Sequence, residues 1–526
     1  MLVETESPSS KRRPLWPRIL IGVAAVLAVA GIAAQILVKR AEPNARKRVV
    51  EWLEAKFDSE VQLGSLHLDI LPRPHVTGRD LKLQWKRRTD IPPMIDIDEF
   101  HAGLAWTDLV RPDWHIHLVT LKSFHLNIPP REEQAASEPP KKEKAASGAA
   151  DSIVVDQVVA DRMILRMLPR EAGKEPKEFD LYKLRIREAG AGRPMKYETL
   201  MKNYKPPGLI NSTGEFGPWR QDNPGETPLR GDYTFNDADL GVFKGIAGIL
   251  SSVGNFEGVL SRINVQGTTE TPDFRLTMVG NKVPLKASYQ AVVDGTNGTT
   301  ILQPVNAVLG QTPLTVSGEI VGEKGVKGKE IELKAIIRNG RFQDLLQLAV
   351  KGGTPMTGLV SLNTVIGIPR GDVDVIQKLN LTGNVDVQGM RFVNPEIQNR
   401  IDEVSRRGQG RPGDTAIDEV ASKLVTQFSL NNAVLNLPSI SYRINGAAAD
   451  AQGQFNMRSQ EMDFDGVVRL NAKASETVEG WKSFFLKPLD PLFSRNGKGT
   501  VLYFHVGGTR AAPKFGLDVK RTLKKD

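Results

Sequence analysis

Six of the seven histidines lie between His67 and His125, and His115-Ile116-His117 sets two imidazoles on one side of an extended strand. Such a pair could offer two nitrogens to a metal ion. The neighbouring residues argue for a plainer role. His67, His117 and His125 each stand between two apolar residues of an alternating run, and His115 continues the phase, so these histidines belong to the wet face opposite the apolar one. The chain has no cysteine, which removes disulfides, zinc–thiolate sites, iron–sulfur clusters and thiol nucleophiles together. There is no Walker A loop, no H-E-x-x-H, no G-x-S-x-G and no dinucleotide fingerprint. The nearest phosphate-loop lookalike, GEKGVKGKE from Gly322, has the wrong glycine spacing and lies among strands. Carboxylates are plentiful, but no two are marked as an acid–base pair. The expectation is a non-enzyme without catalytic residues, metal or cofactor; an enzyme using the histidine-rich segment is the distant alternative.

What must position these residues begins with Ile19–Val38, ILIGVAAVLAVAGIAAQILV, twenty residues with Gln35 as the one polar side chain. A helix of that length spans about 30 Å, the hydrocarbon thickness of a bilayer. Ala28-Val29-Ala30 has the form of a signal-peptidase site, but the apolar run continues eight residues beyond it, which favours an uncleaved anchor. Lys11, Arg12, Arg13 and Arg18 precede the span and Lys39, Arg40, Arg46, Lys47 and Arg48 follow it, so the local charge count does not favour a cytoplasmic N-terminus. Long domains translocate largely regardless of charge, and a cytoplasmic tail (1–18), an inner-membrane anchor and a periplasmic body are expected. The absence of cysteine fits a bacterial envelope. The net charge of +9 is spread along the chain, which suits solubility and anionic lipid surfaces better than nucleic acid.

The body reads as mainly β. Asn44–Phe57 is expected to form a short helix, followed by period-2 runs such as Leu66/Leu68/Ile70, Leu81/Leu83/Trp85, Ile116/Leu118 and Phe124/Leu126/Ile128. Residues 129–150 hold no aromatic and no β-branched residue and read as a solvated linker or disordered loop between a first β domain (39–128) and a second (151–526). The later runs include Phe274/Leu276, Phe428/Leu430, Tyr442/Ile444 and Phe455/Met457, with short helices expected at Asp239–Val253, Phe342–Val350, Pro395–Val404 and Val478–Phe493. Gly267-Thr268-x3-Pro272-x-Phe274-x-Leu276 returns as Gly508-Thr509-x3-Pro513-x-Phe515-x-Leu517, suggesting a glycine turn that opens a strand in duplicated modules. Trp481, Phe484, Phe485 and Phe493, with Lys482, Lys487 and Arg495 around them, form the densest apolar–aromatic cluster, suited to capping a core or touching a bilayer or partner protein.

A single span, a short helix and then VQLGSLHLDILPRPHVTGRDLKLQW from Val61 resemble the start of an AsmA-family protein. FSLNNAVLNLPSISYRINGAAADAQGQFNMRSQEMDFDG from Phe428 is similar to that family's C-terminal region, placed here at about 420–526. The resemblance implies an elongated, twisted antiparallel β-groove, TamB-like, in the bridge-like lipid-transfer group. It further implies an inner-membrane anchor and passage of phospholipid along an apolar face for outer-membrane biogenesis or lipid homeostasis. The family supplies no catalytic motif. The physics is consistent: one-sided strands need cover, and so few helices cannot supply it, so either two sheets close on each other or a ligand covers the face. Carrying a two-chain lipid through water would expose roughly thirty methylenes at about 0.8 kcal/mol each. The residues expected to contact lipid are Leu66, Leu68, Leu83, Ile116, Leu126, Phe274, Leu276, Phe428, Leu430, Tyr442, Ile444, Phe455, Phe515 and Leu517. The rival expectation is a scaffold for outer-membrane protein assembly built from closed β cores. The anchor reading is checked directly: protease added to spheroplasts should digest the body, and a protected body or a mature N-terminus near Gly31 would overturn it.

Overall fold

The computed structural model of the chain describes residues 46–518, apart from 55–58, 70–72, 86–88, 106–114, 129–153, 169–175, 323–327, 372–374, most of 479–498 and a few further positions. Ile19–Val38, residues 129–150, and Trp481, Phe484, Phe485 and Phe493 lie outside the described residues. Among those described, no helix is long and apolar enough to cross a membrane. The chain is mainly β and almost wholly antiparallel, divided into two units near residue 204.

The first unit opens with helical residues between 46 and 54, tied to the sheet by the Arg46 Nε donating to the Leu63 carbonyl at 2.9 Å. Seven strands follow: β1 (Ser59–Asp69), β2 (His75–Trp85), β3 (Ile95–Leu104), β4 (His115–Ile128), β5 (Val154–Met167), β6 (Lys177–Gly190) and β7 (Met195–Lys202). Each pairs with the next, and only β4 and β5 run parallel. Parallel neighbours need a connection that returns the full length of a strand. At roughly 3.3 Å per residue, fourteen residues of β4 require about 46 Å of return. β4 and β5 are neighbours in the first unit, so the chain between Ile128 and Val154 connects two strands of one unit.

The apolar phase of this sheet breaks along one line that crosses six strands, and again in β4–β6 at His117, Asp156 and Glu188. Leu66, Gly78, Phe100, Leu121, Ala160 and Leu184 share a row, and on the other side so do Leu63 and Leu81 with Ile97, Phe124, Met163 and Leu181. Between the two, pairing skips Gly64, Asp80, Asp98, Ser123, Arg162 and Tyr182; Asp80, Ser123 and Arg162 take left-handed φ values of 54°, 49° and 62°. At this crease one irregular residue in each strand turns the alternation over, so both sides of it present their apolar residues to the same face. Beside the crease, the wet face carries a row of alternating sign, Arg79–Glu99–Lys122–Asp161–Lys183, extended by Glu198 at 3.1 Å from Lys183. Opposite charges directly across strands support one pairing register over its neighbours.

The second unit contains β8 (Leu209–Phe216), β9 (Pro228–Asp239), β10 (Ile246–Ala247), β11 (Ile249–Val259), β12 (Arg262–Thr271), β13 (Arg275–Leu276), β14 (Leu285–Val293), β15 (Thr300–Leu309), β16 (Thr312–Gly322) and β17 (Lys329–Arg341). It continues through β18 (Met356–Ile368), β19 (Asn380–Phe392), β20 (Ser422–Asn431), β21 (Val434–Ile444), β22 (Ala447–Asn456), β23 (Met462–Leu470), β24 (Thr500–Thr509) and β25 (Ala512–Leu517). From β9 to β25 each strand pairs antiparallel with the one before it, apart from β10 and β13, which form a two-residue ladder of their own. Bulges recur at Ser288/Ala291, Leu302/Val305, Ile337/Gly340, Val387/Met390 and Leu437/Ile440, bending a sheet that would otherwise lie flat.

Helices are short and sit at strand ends. Phe342–Ala349 follows β17, held by the buried Asp344 carboxylate, which accepts from the Thr312 hydroxyl at 2.8 Å and the Gln311 amide at 3.0 Å. Pro395–Gly408 starts as its sequence promised: the Asn394 side chain accepts from the Glu396 and Ile397 amides, with proline at the first turn. Its buried Asp402 accepts from the amides of Glu419 and Val420, pinning the following loop. The helix expected over Asp239–Val253 is instead one 3-10 turn (Leu240–Val242), then β10 and the first half of β11. Gly241, Gly245 and Gly248 interrupt the apparent helical spacing, and β11 gains ladder partners on both sides.

The charge row gives a pH prediction. Glu99 accepts from Lys122 at 2.6 Å, His101 at 2.7 Å and Arg79 at 3.0 Å, and these donors, Lys122 foremost, lower its pKa from 4.5 to about 2. The unfolded chain then binds the extra proton first, so the stabilisation is complete above the ordinary carboxylate value and is lost as pH falls towards 2. Glu99→Gln should destabilise the protein at pH 6 and flatten the acid limb of its stability curve, read by urea unfolding at a series of pH values.

Candidate functional site: a half-covered apolar face

One row of residues crosses fifteen strands of the second unit on a single face. It runs Phe235, Ser252, Thr269, Ala287, Ala307, Leu314, Ile337 and Leu362 from β9 to β18. It continues through Val385, Thr426, Ile440, Ala451, Gly466, Phe504 and Leu517 from β19 to β25. A parallel row holds Leu333, Ile366, Leu381, Leu430, Leu435, Phe455 and Met462. The opposite face of the same strands is exposed and mostly polar, as β12 shows with Arg262, Asn264, Gln266, Thr268 and Glu270 alternating against Ile263, Val265 and Gly267, with Val253, Val308, Val365 and Val425 as exposed apolar exceptions.

The apolar face is covered unevenly. Ile337, Val360, Val387 and Met390 are fully buried beneath Phe342 and Leu345 of the short helix, with Leu314, Leu362, Val385, Leu424 and Tyr442 packed around them. Away from that helix the large side chains stay half-buried: Phe428, Ile444, Phe455, Phe464 and Phe504 all keep solvent contact. At the last strand, Phe515 is 77% and Leu517 64% exposed. A sheet closed face to face on a second sheet would bury these positions. Among the described residues this face meets side chains of its own neighbouring strands and of short helices, which explains the intermediate exposure.

Aromatic rings on this face lie down. Phe428 stands directly across from Gly383, Phe464 from Gly453, Phe504 from Gly466 and Tyr289 from Gly267, and in the first unit Phe100 faces Gly78. A Cβ at Gly383 would meet the Phe428 ring at 2.9 Å, and one at Gly453 the Phe464 ring at 2.5 Å. Each glycine leaves a bare patch of sheet, and the ring opposite fills it. The face keeps its apolar area while its side chains stay low. Tyr233 and Tyr289 approach from β9 and β14 over the Gly254–Gly267 pair, and their hydroxyls meet beside Ser252, whose own hydroxyl donates to the Thr268 carbonyl at 3.0 Å. Burial pushes the Tyr233 and Tyr442 phenols above their ordinary pKa.

Of the residues expected to contact lipid, Phe428, Leu430, Tyr442, Ile444, Phe455, Phe515 and Leu517 share this face. Leu66, Leu68, Leu83, Ile116 and Leu126 share the apolar face of the first unit, where Ala160, Met163 and Leu181 form the buried centre. Two do not belong. Leu276 is in β13 and Phe274 precedes it in the turn after β12, off the main ladder. The repeat that suggested them is not a structural repeat: Gly267 lies mid-strand in β12, whereas Gly508, at φ +85°, stands near the end of β24 before a hairpin turn. Leu430 and Leu83 are on the right faces but are 4% and 1% exposed, so they serve as core. Sequence reasoning missed the glycine–aromatic pairs; their one signal is a glycine occupying an apolar-phase position, as in Leu381-Thr382-Gly383 and Gly453-Gln454-Phe455.

The histidines whose side chains are described stand on the wet face, although the pairing break at His117 puts Ile116 and Leu118 on opposite faces, with Leu118 exposed. His67 and His117 are exposed, His117 bonds Asp156 at 2.8 Å, and His101 joins Glu99. The seventh, His505, lies 3.1 Å from Asp465 and 3.8 Å from Asp463, three exposed side chains whose ligand atoms cluster within 4.8 Å. Exposed carboxylates beside an imidazole form an ordinary surface ion pair. No sequence profile of a known protein family matches the chain, and no curated protein matches it.

The glycine–ring pairs can be tested singly. Gly466→Val should displace the Phe504 ring and destabilise the protein by about 1–3 kcal/mol, the usual cost of overpacking. Gly367→Val, where a Cβ meets nothing closer than 3.6 Å, should cost clearly less. Chemical denaturation of the two variants side by side is the check.

Proposed function

We propose that this chain is a lipid-conducting β-groove protein. In this reading Ile19–Val38 anchors it in the bacterial inner membrane and the β body lies in the periplasm. Phospholipid slides with its acyl chains against the apolar face and its headgroup in water. The observation that carries the reading is the mostly apolar row from Phe235 to Leu517, interrupted by Ser252, Thr269 and Thr426, whose large side chains remain half-exposed outside the helix-covered patch. Fifteen strands at roughly 4.8 Å spacing give that face about 67 Å of length, around twice a bilayer's hydrocarbon thickness. Acyl chains laid along it would remove the same apolar area from water that a second sheet would. The resemblance of Val61–Trp85 and of the stretch from Phe428 to the AsmA family supports the same function, outer-membrane biogenesis or lipid homeostasis.

The reading is non-enzymatic and needs no cofactor. A scaffold for envelope-protein assembly remains the competing outcome, and position-specific chemistry separates the two. A photo-crosslinking residue at Ile444 or Phe455 should capture phospholipid, detected by mass spectrometry of the purified protein. Ile444→Asp should block that capture downstream at Phe515 while costing about 1 kcal/mol of stability, because a half-open face lets water reach the charge. Leu430→Asp should cost several times more, since Leu430 is buried. Absence of lipid adducts at all three positions, with unfolding of the Ile444→Asp variant, would favour a closed scaffold instead.

A further inference from the structure

The wet face of β8–β15 departs from the rest of the wet surface. It forms a concavity of about 920 Å³ lined by carboxamides and hydroxyls. Two registered rows build its floor. One is Asp232–Asn255–Gln266–Gln290 across β9, β11, β12 and β14, and beside it runs Thr234–Val253–Thr268–Ser288–Asn306, which reaches β15. Apart from Asp232, charge is confined to the margins. The pair Arg230–Glu257 closes one side, and Glu270 with Lys286, 3.0 Å apart, closes the other. Between them Asp232 is the one charged lining residue.

We infer that this concavity binds a neutral oligosaccharide. The carboxamides of Asn255, Gln266 and Gln290 make no hydrogen bond to the protein among the described residues, so each offers two N–H donors and a carbonyl acceptor outward. Sugar hydroxyls both donate and accept, and side-chain amides match them in either sense. Neighbouring strands repeat the amides every ~4.8 Å, close to the length of one pyranose ring, so a linear glycan crossing the strands meets one amide per sugar. Val253, 57% exposed at the centre, and Pro304 at one end supply apolar patches for the C–H faces of the rings.

Other ligand classes fit worse. The lining has no lysine or arginine to hold a phosphate or nucleic acid, and a single carboxylate is too few oxygens for a hard cation. A peptide strand needs an open sheet edge, and these strands are paired on both sides within the ladder. The site lies on the face opposite the apolar row, so it does not depend on lipid passage.

The test uses the full chain in lipid nanodiscs and saturation-transfer NMR with two probes, the β-1,4-linked tetramers of N-acetylglucosamine and of glucose. Saturation should reach the sugar ring protons of at least one probe. Asn255→Ala should weaken binding about fivefold, the worth of one hydrogen bond, and the Asn255→Ala/Gln266→Ala pair more than that. Gln290→Leu, on a different strand, gives an independent variant should that pair fold poorly. Glu270→Gln and Lys286→Ala on the margin should leave the signal unchanged. No transfer to either tetramer, or equal transfer in wild type, Gln290→Leu and the double variant, overturns the inference, whatever the outcome of lipid crosslinking.

Discussion

A strand that is apolar on one side must keep that side from water, and among the described residues of this protein successive strands satisfy their backbones laterally without acquiring a second layer above them. Most of the local structure answers this constraint. Bulges at nearly every second strand bend the second unit's sheet and crowd the apolar side chains of neighbouring strands together. The helix Phe342–Ala349 shields the patch around Ile337 and Val360. Where no helix reaches, rings such as Phe428 and Phe504 fold onto glycines and hide one side of themselves against bare backbone. What these devices leave over is a face apolar enough to want a partner and open enough to admit one.

Alternation made the strands legible, because side chains on a strand change sides at every residue and water contact sorts them by type. Asn394 followed by Pro395 was legible for a similar reason: a cap and a preset φ act within one turn and need no distant partner. The misreadings have the opposite character. Asp239–Val253 spaces its apolar residues as a helix would, and only the pairing of β11 with β9 and β12 decides against it. The role of residues 129–153 depends on β4 and β5 being parallel, a relation between strands that composition cannot carry. Leu430 and Ile444 look alike in their runs, yet one is core and the other half-open, because burial is set by which strands lie alongside.

The two faces of the second unit have different chemistry. The apolar face is nearly continuous, interrupted by hydroxyls where Tyr233, Tyr289 and Ser252 meet. The wet face is charged at its margins and, apart from Asp232, neutral over the concavity of β8–β15. Since every strand contributes alternate residues to both, a change on one face leaves the other's side chains in place unless it shifts the register. Substitutions can therefore be assigned to one surface or the other by parity within each strand, with the bulges marking where the count restarts.

The crease through the first unit, from Gly64 to Tyr182, carries a consequence for how such a chain can vary in length. Deleting one residue on either side of the crease in a single strand would turn half of that strand over and send its leucines into water, while its neighbours kept their old orientation. Six strands would have to lose the same position together for the sheet to shorten. Changes in length are thereby driven into the turns, and the distance from each strand end to the crease becomes a shared measurement that no one strand can revise alone.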